Sequence, residues 1–279
     1  MTLAEKGREA NKINRGNAIS TSTDDYAQIL GHGMEHYRNQ KVSSLKDECL
    51  ARGISPYGKK SEIIERLEYF DKIKKRKEKG EKFSWEKRLE SFEKMTGYEN
   101  YLFRASDGWI AGTWVMGGDY SVESGYYGGY PAGYLRRIKA LFPDKDKVLH
   151  VFSGMVDLGT LPGDTVDLDS ARKPTFHDDA QTLEKVPVGN YDLILADPPY
   201  SVEDAERYKP SMVSRNKVMR ALGQKARKGT HVVWLDQVLP MYRKDQWDIQ
   251  AVIGMVKSTN HRFRVVTIFE KNCDPELNN

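Results

Sequence analysis

The chain has 279 residues, 39% hydrophobic and 30% charged, enough for one full-size domain with a smaller companion and too many for a disulfide-held mini-protein. Its 44 Lys and Arg exceed its 40 Asp and Glu by four, and the whole surplus lies in the first hundred residues, where 21 basic side chains face 17 acidic ones. Mean hydropathy is −0.67, no apolar run nears the ~18 residues of a membrane helix, and the polar N-terminus has no apolar core, so neither a spanning segment nor a secretory signal is expected. The two cysteines, Cys49 and Cys273, lie in unlike contexts and support neither a disulfide framework nor a zinc site. A reducing cytoplasm or nucleus fits, and no metal centre is expected.

Residues 1–40 are polar, with scattered apolar positions (Tyr26, Ile29, Leu30, Met34, Tyr37) that suggest one modest helix. In residues 41–70 the pattern tightens. Val42, Leu45, Cys49 and Leu50 share one helical face, and Ile63, Ile64 and Leu67 share another. Between them, a run from Arg52 to Lys60 holding Gly53, Pro56 and Gly58 reads as a turn, with Ser61 placed to cap the second helix. Residues 71–83 are a basic linker or an exposed extension of that helix, and we place a domain boundary there. Residues 84–279 form the second domain. Trp85, Leu89, Phe92 and Met95 have the spacing of a lead-in helix, and residues 101–130 are dense in Gly and aromatics, which suggests strands and tight turns bordering a pocket.

The C-terminal half alternates in the α/β manner. Strands are expected at 148–153, 165–168, 191–196, 231–235, 249–256 and 263–269, with helices at 134–142 and 213–227. This predicts a mostly parallel sheet whose last two strands form an antiparallel edge hairpin.

One segment carries chemistry: an apolar strand, Leu193-Ile194-Leu195-Ala196, runs directly into Asp197-Pro198-Pro199-Tyr200. Ligands of open parallel sheets bind at the carboxyl ends of the strands, so a carboxylate, a rigid donor-free backbone and an aromatic face stand at the active edge. An exocyclic amine is a poor nucleophile because its lone pair is delocalised into the ring. If the Asp197 carboxylate and the Pro198 carbonyl accept its N–H bonds, the nitrogen becomes more tetrahedral and its lone pair is directed at an incoming methyl group. Tyr200 would stack on the flipped base. A strand ending in a Pro-Pro turn with a chance Asp and Tyr is the plain alternative.

The motif resembles that of the amino-methyltransferases, the adenine-N6 and cytosine-N4 DNA methylases that use S-adenosylmethionine, and its Asp form is more typical of the adenine enzymes. That resemblance implies a compact Rossmann-like class I methyltransferase sheet. It extends upstream. Tyr130-Pro131 and the residues up to Ile138 resemble the segment holding the methionine end of the cofactor. Phe152-Ser153-Gly154 are similar to the cofactor loop after the first strand. Asp167, or Asp169 in its place, stands where the family grips the ribose. Asp178 and Asp179 stand where it contacts the adenine amine, with Asp179 favoured. Departures are His150 for the usual Asp and Val156 for a second glycine. About ten residues separate Gly154 from the next strand, too few for a crossover helix. His150 reads as a core or neighbouring residue.

Residues 42–67 resemble a SAP domain, a small helical module that binds DNA, and this implies phosphate contacts from Gly58, Lys59, Lys60 and the opening amides of the second helix. A generic two-helix docking hairpin is the alternative. A second basic stretch runs from Arg207 to Lys228, with eight basic residues and no acidic one. Arg207, Lys209 and Arg215 are its nearest members to Asp197, and the stretch is either a backbone-contacting face or the solvated side of a helix covering the sheet.

The expectation is therefore S-adenosylmethionine-dependent methylation of adenine N6 in DNA. Alternatives are RNA base N-methylation, or a non-catalytic DNA-binding protein with a degenerate methyltransferase fold. The oligomeric state is not legible.

Overall fold

The computed structural model describes residues 36–117, 129–199, 213–258 and 262–275. Two compact units are distinguished, residues 1–41 and residues 42–279, and the account below concerns the second.

It opens with a helical hairpin. Helix α1 (Val42–Ala51) buries Leu45 and Cys49, and α2 (Lys60–Glu78) buries Ile63, Ile64, Leu67 and Ile73. Lys59, not Ser61, occupies the cap position of α2; the Glu62 carboxylate reaches back to accept the Lys59 N–H at 3.0 Å, which satisfies the cap residue's own amide. The basic run from Asp71 is mostly the last turns of α2, the helix-extension reading of that stretch. Helix α3 (Trp85–Thr96) starts at a Ser84 cap and ends at Gly97 in the left-handed conformation.

Nine strands then make one sheet: β1 (Leu102–Arg104), β2 (Ile110–Met116), β3 (Val148–Val151), β4 (Asp164–Asp167), β5 (Phe176–His177), β6 (Leu193–Ala196), β7 (His231–Asp236), β8 (Trp247–Lys257) and β9 (Phe263–Lys271), with α4 (Tyr134–Leu141) before β3 and α5 (Arg215–Lys225) before β7. The spatial order is β1-β2-β8-β9-β7-β6-β3-β4-β5. Strands β5, β4, β3, β6 and β7 are parallel, and β9 is antiparallel to both β7 and β8. This is the expected mixed, Rossmann-like sheet with a small helical domain. All the expected strands are present; the two-residue β5 was too short to show a pattern. The β8–β9 hairpin, expected at the edge, is interior, because β2 pairs parallel with β8 and carries β1 outside it. The Gly- and aromatic-rich composition of residues 101–130 hid the alternation of β2.

The central parallel strands β3, β6 and β7 are buried on both faces, as strands of this class require. Along β7, Val232 and Trp234 point to one face and Val233 and Leu235 to the other, all 0% exposed. The first face packs under α5 through Val218, Met219 and Leu222. The second lies under α3 and α4, where Phe92 stacks on Trp114 at 5.8 Å and Trp114 meets Tyr134 edge-on at 6.2 Å. Arg88 of α3 binds Asp144 through two bonds, at 2.5 and 2.9 Å, with the Phe142 ring 4.7 Å away. Its guanidinium is 4% exposed. Arg88→Ala would strand Asp144, and we expect a loss of about 3–5 kcal/mol in urea unfolding free energy; an unchanged midpoint would remove this pair from the fold's essential contacts.

Candidate active site

Chain order changes direction at β3. From β3 the chain steps outward to β4 and β5, then returns to the other side of β3 as β6 and β7. Diverging connections leave a crevice at the carboxyl ends of β3 and β6, the place where such sheets bind ligands. Asp197 and Pro198 stand at the β6 end of that crevice, Asp197 half-buried and Pro198 buried. Phe152, Ser153 and Gly154 stand at the β3 end. The sequence-predicted groups therefore meet at one edge. Tyr200, Arg207 and Lys209 lie outside the described residues.

The β3 loop turns sharply. Phe152 has φ +60° and Gly154 φ +49°, a conformation costly for a phenylalanine and held here by its ring packing on the core. Ser153 N–H donates to Val166 O at 3.1 Å. The Asp167 carboxylate accepts the Gly154 N–H at 2.8 Å on one oxygen and the Asp169 N–H at 2.9 Å on the other. It thus latches the loop to β4, and as a half-buried carboxylate it keeps further acceptor capacity. Asp169 accepts Ala171 N–H at 3.0 Å and pairs with Arg172, so it caps the turn Ser170–Arg172.

Asp178 and Asp179 divide their roles. Asp178 is buried, and its oxygens accept Asp179 N–H at 2.9 Å and Lys185 N–H at 2.7 Å; it clamps the loop. Asp179, half-buried, accepts Gln181 N–H at 2.8 Å, and Gln181 in turn accepts Ser214 N–H at 3.0 Å. That chain of bonds ties the β5 loop to the start of α5.

Aromatic rings close the crevice on the α4 side. Tyr130 and Tyr134 stack at 5.1 Å, and Tyr130 meets His150 at 6.1 Å. The two phenols are pushed well above their ordinary pKa by burial, with the Asp197 charge adding to the rise for both. They are neutral donors, and neither buried hydroxyl has a partner among the described residues. Orphaned donors beside a carboxylate at a crevice fit a ligand with polar atoms. Tyr134 was not read from the sequence as a site residue; its spacing in α4 looks like core. His150 is 0% exposed, bonded to Leu161 O at 3.0 Å, and burial pushes its pKa down to about 4. It is neutral at physiological pH.

Arg215 has a different task from the nucleic-acid contact expected of it. Its Nε and Nη2 donate to Asp236 at 2.5 and 3.1 Å. Asp236, 0% exposed, also accepts Trp234 Nε1 at 3.1 Å and Gln237 N–H at 2.7 Å. The guanidinium is committed to a buried carboxylate and anchors α5 at the carboxyl edge. No signal in the sequence links these two residues, because the pair forms only once β7 ends beside the first turn of α5.

A SAP-domain family profile matches residues 36–72, so the helical hairpin is a SAP domain. The chain is 39% identical over 62 residues, 22% of its length, to a Yarrowia lipolytica protein named altered inheritance of mitochondria protein 34, mitochondrial, and spans 26% of that relative. Among solved structures, TrmN from Thermus thermophilus matches at 17% identity and a TM-score of 0.40, over 51% of this chain and 49% of that one. A mutant of MtNAS in complex with S-adenosylmethionine matches at 9% identity and a TM-score of 0.34, over 91% of this chain and 100% of that one. Likeness this slight assigns neither fold nor chemistry, which rest on strand order and on the residues at the edge.

The two buried histidines couple stability to pH. His150 and His231 both hold pKa values below the ordinary 6.5, through burial first, and for His231 through Arg88 and Lys145 as well. The unfolded chain therefore binds protons that the folded chain refuses, and stability falls as pH drops from about 6.5 towards 4. His150→Leu should flatten part of that slope in urea unfolding measured at pH 7 and pH 4.5, leaving the His231 share; an identical slope would show that His150 titrates as it does when unfolded.

Proposed function

We propose that the chain transfers a methyl group from S-adenosylmethionine to the exocyclic N6 of adenine in DNA, which its SAP domain holds. The observation that carries this reading is the Asp197-Pro198-Pro199 turn at the carboxyl end of the central strand β6, facing the crevice at the switch point. Tyr130, Pro131, Phe152, Ser153, Gly154, Asp167 and Asp179 would hold the cofactor, with Asp178 and Asp169 fixing the loops that present them. Bound there, the cofactor supplies an electrophilic methyl group on a sulfonium that leaves as a neutral thioether.

The chain's own residues do the rest. Asp197 and the Pro198 carbonyl accept the two amine N–H bonds and turn the nitrogen lone pair towards the crevice, so no deprotonated amine is needed. Pro198 and Pro199 lack N–H groups, so no backbone donor competes for the acceptors that the amine requires. The excess proton on the methylated nitrogen leaves along the Asp197 hydrogen bond. Positioning across a narrow crevice supplies much of the rate. Gly58, Lys59 and Lys60 open α2 and would meet phosphates, giving affinity that depends on salt more than on sequence.

Purified protein is incubated with radiolabelled cofactor and with duplex DNA, single-stranded DNA or RNA. DNA labelling recovered as the nucleoside N6-methyl-2′-deoxyadenosine is expected; label in RNA alone would transfer the reading to an RNA amine. Asp197→Ala should lower turnover at least about 100-fold with DNA affinity and unfolding midpoint unchanged. Turnover retained in that variant would remove Asp197 from the chemistry.

A further inference from the structure

The SAP domain and the catalytic edge are joined by a surface that neither assignment explains. Helices α2 and α3 pack antiparallel between them. At one end Lys77, in the last turn of α2, pairs with Asp146 beside the amino end of β3. At the other, Arg66 meets Gly97 after α3, where an added Cβ would lie 3.4 Å from its Nη2. The same Arg66 donates from Nη1 to Ser55 O at 2.7 Å and Tyr57 O at 2.9 Å. One guanidinium thus holds the SAP loop and packs against the turn that starts at Gly97. That turn stands at the carboxyl edge of the sheet. Arg137 of α4 lies over the Tyr98 ring at 4.7 Å and donates to Val115 O at 3.1 Å, one residue before β2 ends.

Three tyrosines are exposed on this surface: Tyr57 (71%), Tyr98 (36%) and Tyr101 (39%). Tyr98 and Tyr101 have ring centroids 5.0 Å apart. Asn100, at φ +59°, sets the tight turn between them, and its N–H is taken by Glu93 at 3.0 Å, which occupies an acid that would otherwise face the rings. Two buried cations border this surface, Arg137 against the Tyr98 ring and Arg66 against the SAP loop and Gly97. Arg66 is 5% and Arg137 6% exposed, and neither has a carboxylate within ion-pair distance among the described residues. Their partners are carbonyls, a methionine sulfur and aromatic faces. Burial lowers the pKa of both. Buried charge without a contacting carboxylate is costly and adds positive potential to the surface above it, offset in part at Arg66 by the Glu62 charge. A polyanion lying across the surface would relieve it.

We propose that residues 97–101, with Tyr57 beside them, are a stacking platform for unpaired bases of a nucleic-acid strand running from the SAP loop to the catalytic edge. The inference rests on the nucleic-acid reading above and adds a site to it. Exposed rings over a positive base are what strand-binding surfaces without sequence preference use. The firm joint through Arg66 means that the strand leaves the SAP loop at a set offset from Asp197.

Fluorescence anisotropy with the full chain, at fixed salt, tests it using a fluorescein-labelled single strand of about 20 nucleotides, longer than a platform of this kind occupies, and the matching duplex. Tyr101→Ala should weaken single-strand binding about tenfold and leave duplex binding and the thermal midpoint unchanged, while Tyr101→Phe, which keeps the ring, should bind as the parent does. Lys59→Glu with Lys60→Glu should weaken the duplex. Single-strand binding by Tyr101→Ala equal to the parent's, or an equal loss for strand and duplex, overturns the platform. A silent lysine pair beside a weakened Tyr101→Ala overturns the SAP reading and keeps the platform.

Discussion

The connection between β3 and β4 is the constraint from which the rest of the arrangement follows. It has twelve residues, 152–163, and contains no helix, whereas parallel neighbours are ordinarily joined through one. A chain that short must turn at once, which is why Phe152 and Gly154 both take left-handed φ values and why Gly163 passes so close that a Cβ would meet Val148 O at 2.6 Å. The latch from Asp167 to the Gly154 amide then substitutes for the hydrogen bonds a helix would have made. The missing helix N-terminus matters less here than in a dinucleotide site, since the proposed cofactor has no phosphate for it to bind.

The uncovered side of that connection is met by the SAP domain. Gly53, at φ +66°, approaches so closely that a Cβ would stand 2.5 Å from Thr160 O, and Lys139 of α4 donates to the same carbonyl at 3.2 Å. Leu161, the next residue, is 3% exposed and its carbonyl holds His150. The SAP hairpin is therefore part of the packing that supports the β3–β4 connection. Gly53 thus both turns the SAP loop through its positive φ and provides the contact surface, so one residue answers to two demands.

Much of this was legible from residues alone because the strongest signals are local. The short β-branched runs place six of the strands, and Asp197-Pro198-Pro199 follows one of them without interruption. The glycine pair of the SAP loop and its two apolar stripes mark that domain. What escaped is non-local. Arg215 reads as part of a basic stretch, and only the ending of β7 reveals Asp236 beside it. Ser61 reads as a cap until the Glu62 carboxylate is seen to serve Lys59. The last two strands read as an edge until β2, masked by its glycine and aromatics, is found outside them.

The acids of the carboxyl edge show how little side-chain chemistry the proposed reaction requires. Asp178 and Asp236 have their oxygens taken by backbone amides or by Arg215 and the Trp234 indole, and their work is to hold strand ends and loops in register. Asp169 caps a turn and pairs with Arg172, while Asp167 and Asp179 each support a turn, are half-buried and retain acceptor capacity. Such a division is what an open sheet must make, since its strand ends expose amides that need acceptors before any ligand can be served. The tyrosines follow the opposite logic. Tyr130 and Tyr134 keep buried hydroxyls without partners among the described residues, an arrangement that a ligand's polar atoms would relieve. In the proposed reading, the backbone-satisfying acids set the crevice and the unsatisfied phenols make it receptive. Asp197, half-buried at the end of β6, lies close enough to both phenols for its charge to raise their pKa.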